Sequence, residues 1–307
     1  MNLNIKSIAF KYKNGGKAMV TVRTKLVGLL GTPLTFTFSP QMHNTTFEEY
    51  GLDYFYIPFE VDNDTLSDVI QAFRHLNFAG FNVTKPNKVK VLQYLDEVDE
   101  LAAKIGAVNT VVKLEDGRLK GYNTDGEGYV SSLKHETGLD PKGKKFTILG
   151  AGGAGRAIAF TLAFYGAELV EIYDGVEEVG REVVREINEK VSQCAVFTPL
   201  GDDNIAKSIE NNDVIINATG VGMIPKTDRT PIDKSLLRSS IIVSDVTYNP
   251  LKTRLLLEAE EVGCTVHNGV GMLIHQGAKA FSLWTNVEPP VENMTKTVTN
   301  IIKNLDK

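Results

Sequence analysis

Short apolar runs of strand length recur along this chain, and most are followed by segments whose apolar positions fall three and four apart. Lys25-Leu26-Val27-Gly28-Leu29-Leu30-Gly31 reads as a strand, in an ordered stretch beginning near Thr21. A loop with Pro33 and Pro40 leads into a helix over 41–50, and 54–59 is a second strand. Asp64 is placed to cap a helix whose Leu66, Val69, Ile70, Phe73 and Leu76 make one buried stripe. Residues 78–83 are a third strand, 88–95 and 97–105 read as helical, and 107–114 pairs with 118–122 around Asp116-Gly117, a hairpin signal.

A helix over 126–134 joins this series to a second one. Strands are expected at 145–149, 168–173, 194–197, 213–217 and 241–245, with helical segments between most of them. That alternation predicts a doubly wound, mostly parallel sheet. The last helices, 272–285 and 290–304, have no strand after them and can pack back on the first series. The fold class is therefore α/β with two domains. Residues 1–20 are an extension, 21–124 with about 272–307 form the first domain, and 125–271 form a Rossmann-type second domain. No internal repeat is visible.

At 307 residues, 42% hydrophobic and 23% charged, the composition is that of a soluble globular chain, expected in the cytoplasm. A net charge of −5 gives no reason to expect nucleic acid or an acidic membrane as partner. No apolar run approaches the ~18 residues of a membrane span, and the first residues lack a signal-peptide core. Cys194 and Cys264 have no C-x-x-C spacing and read as small apolar residues in a reducing compartment. His43, His75, His135, His267 and His275 show no metal-ligand spacing, so no metal is expected. His267 falls in a short strand as a candidate pocket wall.

Gly150-Ala151-Gly152-Gly153-Ala154-Gly155 lies between the strand ending at Leu149 and an Ala/Leu-rich helix. Strand, glycine turn and helix together make a dinucleotide site, since amide N–H groups at the helix start hold a pyrophosphate. Asp174 ends the next strand, the place of a carboxylate that accepts the adenosine ribose hydroxyls about 20 residues on. With Glu177 and Glu178 behind it, it favours NAD over NADP, whose 2′-phosphate wants an arginine. Arg181 and Arg185 are weaker phosphate candidates, and Asp174 could instead cap the next helix.

In Asn82-Val83-Thr84-Lys85-Pro86-Asn87-Lys88 a strand stops and a lysine opens the expected next helix, where helix-end charge would disfavour its protonated form. Lys85, Lys88 and Lys90 all compete for an acid–base role. Asp125 stands at a strand-to-helix junction, as N-cap or as carboxylate partner. Asn109 is an amide in an apolar strand, which braces a loop or holds a ligand.

These motifs, in this order, resemble the shikimate/quinate dehydrogenase family from about Lys25 onward. The matching stretches are Ser39-Pro40 with His43-Asn44, Asn82-Val83-Thr84 with Pro86 and Lys88, Gly106 to Thr110, and Asn123 to Gly126. Gly150 to Ala154, Asn217 to Gly220 with Gly222-Met223, Asp245 with Tyr248 and Pro250, and Asn268-Gly269 with Met272, Gln276-Gly277 and Phe281 follow. The resemblance implies reversible, nicotinamide-dependent reduction of 3-dehydroshikimate to shikimate, with quinate as a further substrate. It makes Lys88 and Asp125 the catalytic pair, Asp125 orienting Lys88. It gives the ring hydroxyls to Thr84, Asn109 and Asp125 and the carboxylate to Thr37 and Ser39. Tyr248 and Gln276 become further substrate contacts, and Thr219, Val246, Gly269 and Met272 flank the nicotinamide half.

Two departures stand out. Phe36-Thr37-Phe38-Ser39-Pro40 replaces the usual His-Ser-x-Ser-Pro, which leaves shikimate against quinate open. Asp174-Gly175-Val176 replaces the Asn-Arg-Thr of NADP-dependent members, which again points to NAD, with NADP possible. A non-catalytic metabolite-binding regulator is the alternative, since fold alone does not fix function. A methylene-tetrahydrofolate-type dehydrogenase fits the substrate motifs less well. The expected partners are small molecules, and the chain a monomer or homodimer.

Overall fold

Strand β1 (Lys25–Gly31) is followed by α1 (Ser39–Glu49), β2 (Tyr54–Glu60), α2 (Leu66–His75) and β3 (Phe78–Val83). Then come β4 (Glu97–Val98), α3 (Glu100–Ile105), β5 (Thr110–Lys113), β6 (Leu119–Tyr122) and α4 (Thr124–Thr137). The second series runs β7 (Lys145–Leu149), α5 (Gly153–Phe164), β8 (Leu169–Tyr173), α6 (Glu177–Lys190), β9 (Ala195–Phe197) and α7 (Asp202–Asn211). It ends with β10 (Val214–Asn217), β11 (Ile242–Asp245), α8 (Arg254–Val262), β12 (Thr265–His267), α9 (Gly269–Thr285) and α10 (Val291–Leu305). The computed structural model describes residues 20–34, 37–288 and 290–305. The expected N-terminal extension up to residue 19, and Phe36, lie outside the described residues.

The described chain divides into two units. The first holds the residues up to Asp99, Ala107–Tyr122, and the residues from Ala280 on. The second holds Glu100–Gly106 and Asn123–Lys279. Residues 100–106, 123–124 and 272–279, which the sequence pattern assigns to the first domain, fall in the second unit.

The first unit has one mixed sheet in the order β2-β1-β3-β5-β6-β4. Strands β2, β1 and β3 run parallel, whereas β5 is antiparallel to both β3 and β6. The expected hairpin forms, with Gly117 at φ 86° in its turn. Its aromatic core stacks His43 on Tyr56, centroids 4.7 Å apart, and packs Phe47, Phe281 and Trp284 around them. Trp284 donates its indole N–H to the carbonyl of Val111 at 3.0 Å.

The 88–95 segment is not one helix: Lys88 sits in a turn and only Lys90–Tyr94 makes a 3-10 turn. The 97–105 segment splits into β4 and α3. Asp96 accepts the N–H of Leu119 and an Arg74 guanidinium hydrogen bond, which seats β4 beside β6. Asp62, not Asp64, organises the start of α2: its Oδ1 accepts from the amides of Asp64 and Thr65 and from the Thr65 hydroxyl.

The second unit has six parallel strands in the order β12-β11-β10-β7-β8-β9. Counted from β7, this is the dinucleotide-binding order 3-2-1-4-5-6. Its central strands are mostly apolar, as burial on both faces favours, with Asn217 and Asp245 at the ends of β10 and β11. Leu149, Asn217, Asp245 and Tyr173 stand level across four strands. Ile215, Val243, Leu149 and Tyr173 meet Ile205, Ile209, Leu255 and Leu256 in one buried cluster. No described helix is long and apolar enough to cross a membrane.

Candidate active site

In the second unit the strand order reverses between β7 and β10, the position where such sheets take a ligand. Gly150 leaves β7 at φ 96°, and a Cβ there would lie 3.0 Å from the Ala218 carbonyl. Only glycine makes this turn without strain. Gly152 is the N-cap of α5, which starts at Gly153. At both positions a Cβ would meet nothing within 4 Å, so the loop has open space in front of the free N–H groups of the helix start. The backbone of Ala151 is fixed by its N–H, which donates to Asp174 Oδ2 at 2.7 Å. Ala154 follows inside the first turn of α5. The cradle suits a pyrophosphate in donor chemistry and in room.

Asp174 stands at the end of β8. Its Oδ1 accepts the Val176 N–H at 2.8 Å, and no side chain caps α6. The capping role considered for it is therefore not what the fold uses it for. Arg181 is held by Glu177 at 3.1 Å and lies over the Phe197 ring at 4.6 Å. Arg185 lies 4.0 Å from Glu182.

Asn217, at the end of β10, organises the neighbouring loops. Its Oδ1 accepts from both the amide and the hydroxyl of Thr219. Its Nδ2 donates to Asp245 Oδ2 at 2.9 Å, and its carbonyl accepts the Val246 N–H. Asp245 also accepts from Thr253 Oγ1 and the Thr247 amide, while burial pushes its carboxyl up. The Gly269 N–H donates to the Thr247 carbonyl at 3.2 Å, and Met272 follows one turn into α9. Thr219, Val246 and Gly269 thus gather beyond the ends of β10, β11 and β12. Tyr248 is in the loop after β11, its phenol pushed up by burial. Gln276 is in α9 with its Nε2 donating to the Leu273 carbonyl. Asp125 lies in the first turn of α4, but the N-cap is Asn123, whose Oδ1 accepts the Asp125 N–H at 3.1 Å. The Asp125 carboxylate is therefore not the cap.

In the first unit, Ser39 opens α1, its N–H donating to Thr37 Oγ1 at 3.3 Å. Thr84 follows β3, with its N–H on the Leu30 carbonyl. Lys88 is reached through the Lys85-Pro86 turn, and its carbonyl accepts the Val108 N–H at 2.8 Å. It does not open a helix, so the helix-end argument does not apply to it. Asn109 precedes β5, buried, with its Oδ1 accepting the Thr110 hydroxyl at 3.0 Å.

Tyr56 and Asn82 join this group unannounced. Tyr56 donates to Asn82 Oδ1 at 2.8 Å and also hydrogen-bonds Ser39. Asn82 donates to the Asn109 carbonyl and to Thr110 Oγ1. One buried polar chain thus links Ser39 to Asn109. Asn82 had a signal, an amide in an apolar strand; Tyr56 had none beyond its place in the 54–59 strand.

Residues 29–111 match the shikimate dehydrogenase substrate binding domain, and 269–299 the shikimate 5'-dehydrogenase C-terminal domain. The chain is 45% identical over 277 residues to the shikimate dehydrogenase (NADP(+)) of Alkaliphilus metalliredigens, covering 90% of this chain and 96% of that protein. The chain belongs to the shikimate dehydrogenase family. Within that family, the crystal structure of the Listeria monocytogenes shikimate 5-dehydrogenase in complex with shikimate and NAD superposes with a TM-score of 0.87 at 44% identity. It spans 91% of this chain and 98% of its own. The quinate dehydrogenase of Corynebacterium glutamicum in complex with NAD gives 0.84 at 33% identity, over 90% and 99%.

Proposed function

We propose that this chain reversibly reduces the ring ketone of 3-dehydroshikimate to shikimate with a nicotinamide dinucleotide, and that it prefers NAD. The activity rests on one observation, 45% identity across nearly the whole of a shikimate dehydrogenase; Lys88 and Asp125 are the pair that the sequence motifs offer for its chemistry.

Thr37 and Ser39 take the substrate carboxylate, and Thr84, Asn109 and Asp125 the ring hydroxyls, with Tyr248 and Gln276 as further contacts. The nicotinamide, when bound, carries the hydride. Lys88 donates a proton to the ring oxygen as negative charge builds there, and takes one back in the oxidative direction. Asp125 is the carboxylate that accompanies it. The loop from Gly150 through Gly153 to Ala154 holds the pyrophosphate, and Thr219, Val246, Gly269 and Met272 the nicotinamide half.

The NAD preference is argued from Asp174. Two amide donors fix its carboxylate, whose remaining lone pairs suit ribose hydroxyls. Gly175 offers no cation, Glu177 and Glu178 add negative charge, and Arg181 is already paired with Glu177. A 2′-phosphate meets repulsion there. The name of the Alkaliphilus relative carries NADP(+), which sets the opposite expectation.

Initial rates with shikimate and quinate, each against NAD and NADP, test both parts. Shikimate with NAD should be the fastest pair. Turnover with NADP alone would overturn the Asp174 argument, and absence of turnover in every pair would overturn the activity.

A further inference from the structure

Helix α4 carries Asp125, Tyr129, Ser132 and Glu136 at spacings of four, three and four residues, which puts them on one face. Ser244 and His267 are level neighbours on the parallel strands β11 and β12. Tyr129 donates its hydroxyl proton to Ser244 Oγ at 3.0 Å. Ser244 Oγ lies 2.9 Å from His267 Nδ1, and His267 Nε2 lies 2.7 Å from Ser132 Oγ. Ser132 donates to Glu136 Oε1 at 2.9 Å.

The chemistry of the last link orients all the others. The Glu136 carboxylate only accepts, so the single Ser132 proton points to it. Ser132 Oγ must then receive the His267 Nε2–H. Burial, with a smaller contribution from His275, pushes His267 down to about 4, so near neutral pH the ring carries one N–H. Nδ1 is therefore an acceptor for the Ser244 proton, and Ser244 accepts that of Tyr129. Four hydrogens point one way, from Tyr129 out to Glu136. Tyr129, Ser132 and Ser244 are fully buried, whereas the Glu136 side chain keeps 35% of its exposure. Gly271 of α9 closes over the outer link, since a Cβ there would collide with Ser132 Oγ and Glu136 Oε1.

Strands β11 and β12 run on into Val246 and Gly269. Asp125 lies one turn before Tyr129, in the first turn of helix α4. The chain therefore ties the rotation of the helix bearing Asp125 to the two loops assigned to the nicotinamide half. We propose that Tyr129, Ser244, His267, Ser132 and Glu136 form a one-way hydrogen-bond chain that positions Asp125 against those loops, with the Nε2–H tautomer of His267 as its central link. This rests on the reading under Proposed function. His267 is a positioning residue, touching neither substrate nor nucleotide.

The test uses the full chain with two readouts. In 15N spectra at pH 7.5, the resonances that vanish in His267→Gln should show Nε2 protonated and Nδ1 bare; an Nδ1–H ring overturns the oriented chain. In kinetics, His267→Leu should lower kcat by up to ~10²-fold, the scale of an ångström's misplacement, with KM for acid and nucleotide nearly unchanged. His267→Gln keeps an N–H toward Ser132 and should retain more of the rate. Equal losses in Leu and Gln, or a wild-type kcat in Leu, overturn the proposal. If His267→Leu does not fold, Ser132→Ala replaces it, with the same kcat loss expected and wild-type kcat overturning the proposal. A wild-type protein without turnover on either acid fails the functional reading instead, and the tautomer spectrum still judges the chain.

Discussion

Asp174 grips the glycine turn: its carboxylate accepts the Ala151 N–H at 2.7 Å, joining the end of β8 to the loop that follows β7. The residue proposed to read the ribose therefore also shapes the loop proposed to hold the pyrophosphate. Asp174→Ala should raise the KM for NAD roughly tenfold or more, the scale of one hydrogen bond to a charged group. Asp174→Asn combined with Gly175→Arg should instead raise the ratio of kcat/KM for NADP over NAD. A side chain at 175 meets nothing within 4 Å of its Cβ, so the change is sterically open. An unchanged ratio would remove Asp174 and Gly175 from coenzyme choice.

Lys88 is asked to move a proton, a contribution of roughly 10²–10⁴-fold. Lys88→Ala should lose that much kcat while the melting temperature stays within a few degrees. Full activity in the variant would take Lys88 out of the chemistry.

Two buried histidines make the fold acid-sensitive. Burial lowers His43 to about 3 and His267 to about 4, from 6.5. Both are neutral in the folded chain and charge more readily when unfolded, so the unfolded state binds the extra protons as pH falls. Their stabilising contribution is complete above pH 6.5 and is lost below it, down to about 4 for His267 and about 3 for His43. The limiting slope is about 1.4 kcal/mol per pH unit for each. Urea unfolding at pH 7.5 and 5.5 should therefore differ by a few kcal/mol, before most carboxylates titrate. Among the described residues neither ring nitrogen of His43 has a hydrogen-bond partner, and the ring is stacked among aromatics. His43→Phe should flatten this pH dependence without loss of stability at pH 7.5, and an unchanged slope would exclude His43.

Helices α4 and α9 touch at a glycine. A Cβ on Gly128 would lie 2.6 Å from the amide nitrogen of Gln276 and 2.7 Å from its Cβ. Gly128→Ala should cost about 1–3 kcal/mol, the range for overpacking. It should also raise the KM for shikimate by displacing Gln276. Calorimetry and steady-state rates on one preparation check both.

Much of this was legible in the chain. Phe146 to Leu149 and Val214 to Ile216 read as strands because a parallel sheet covered on both faces needs continuous apolar runs. The glycine turn and Asp174 stood out for the same local reason. The helices expected over 88–95 and 97–105 did not form as read, because Asp96 reaches across to Leu119 and Arg74, and local spacing cannot show such a partner. Nothing local marks Tyr56, since its hydroxyl finds Asn82 on a strand two places away in the sheet. His267 was placed as a pocket wall; its partners come from one helix and a neighbouring strand, which only the assembled fold brings together.

Leu149, Tyr173, Asn217 and Asp245 stand at one level across the second sheet, and the residues assigned to the nucleotide lie just past it. Foldability and ligand choice are thereby written in different stretches of the same gene. A lineage can drift at residues 152–154 and 174–178 from one coenzyme to another while Gly150 and the apolar interior are held. A mutagenesis library confined to those stretches should likewise yield mostly folded proteins.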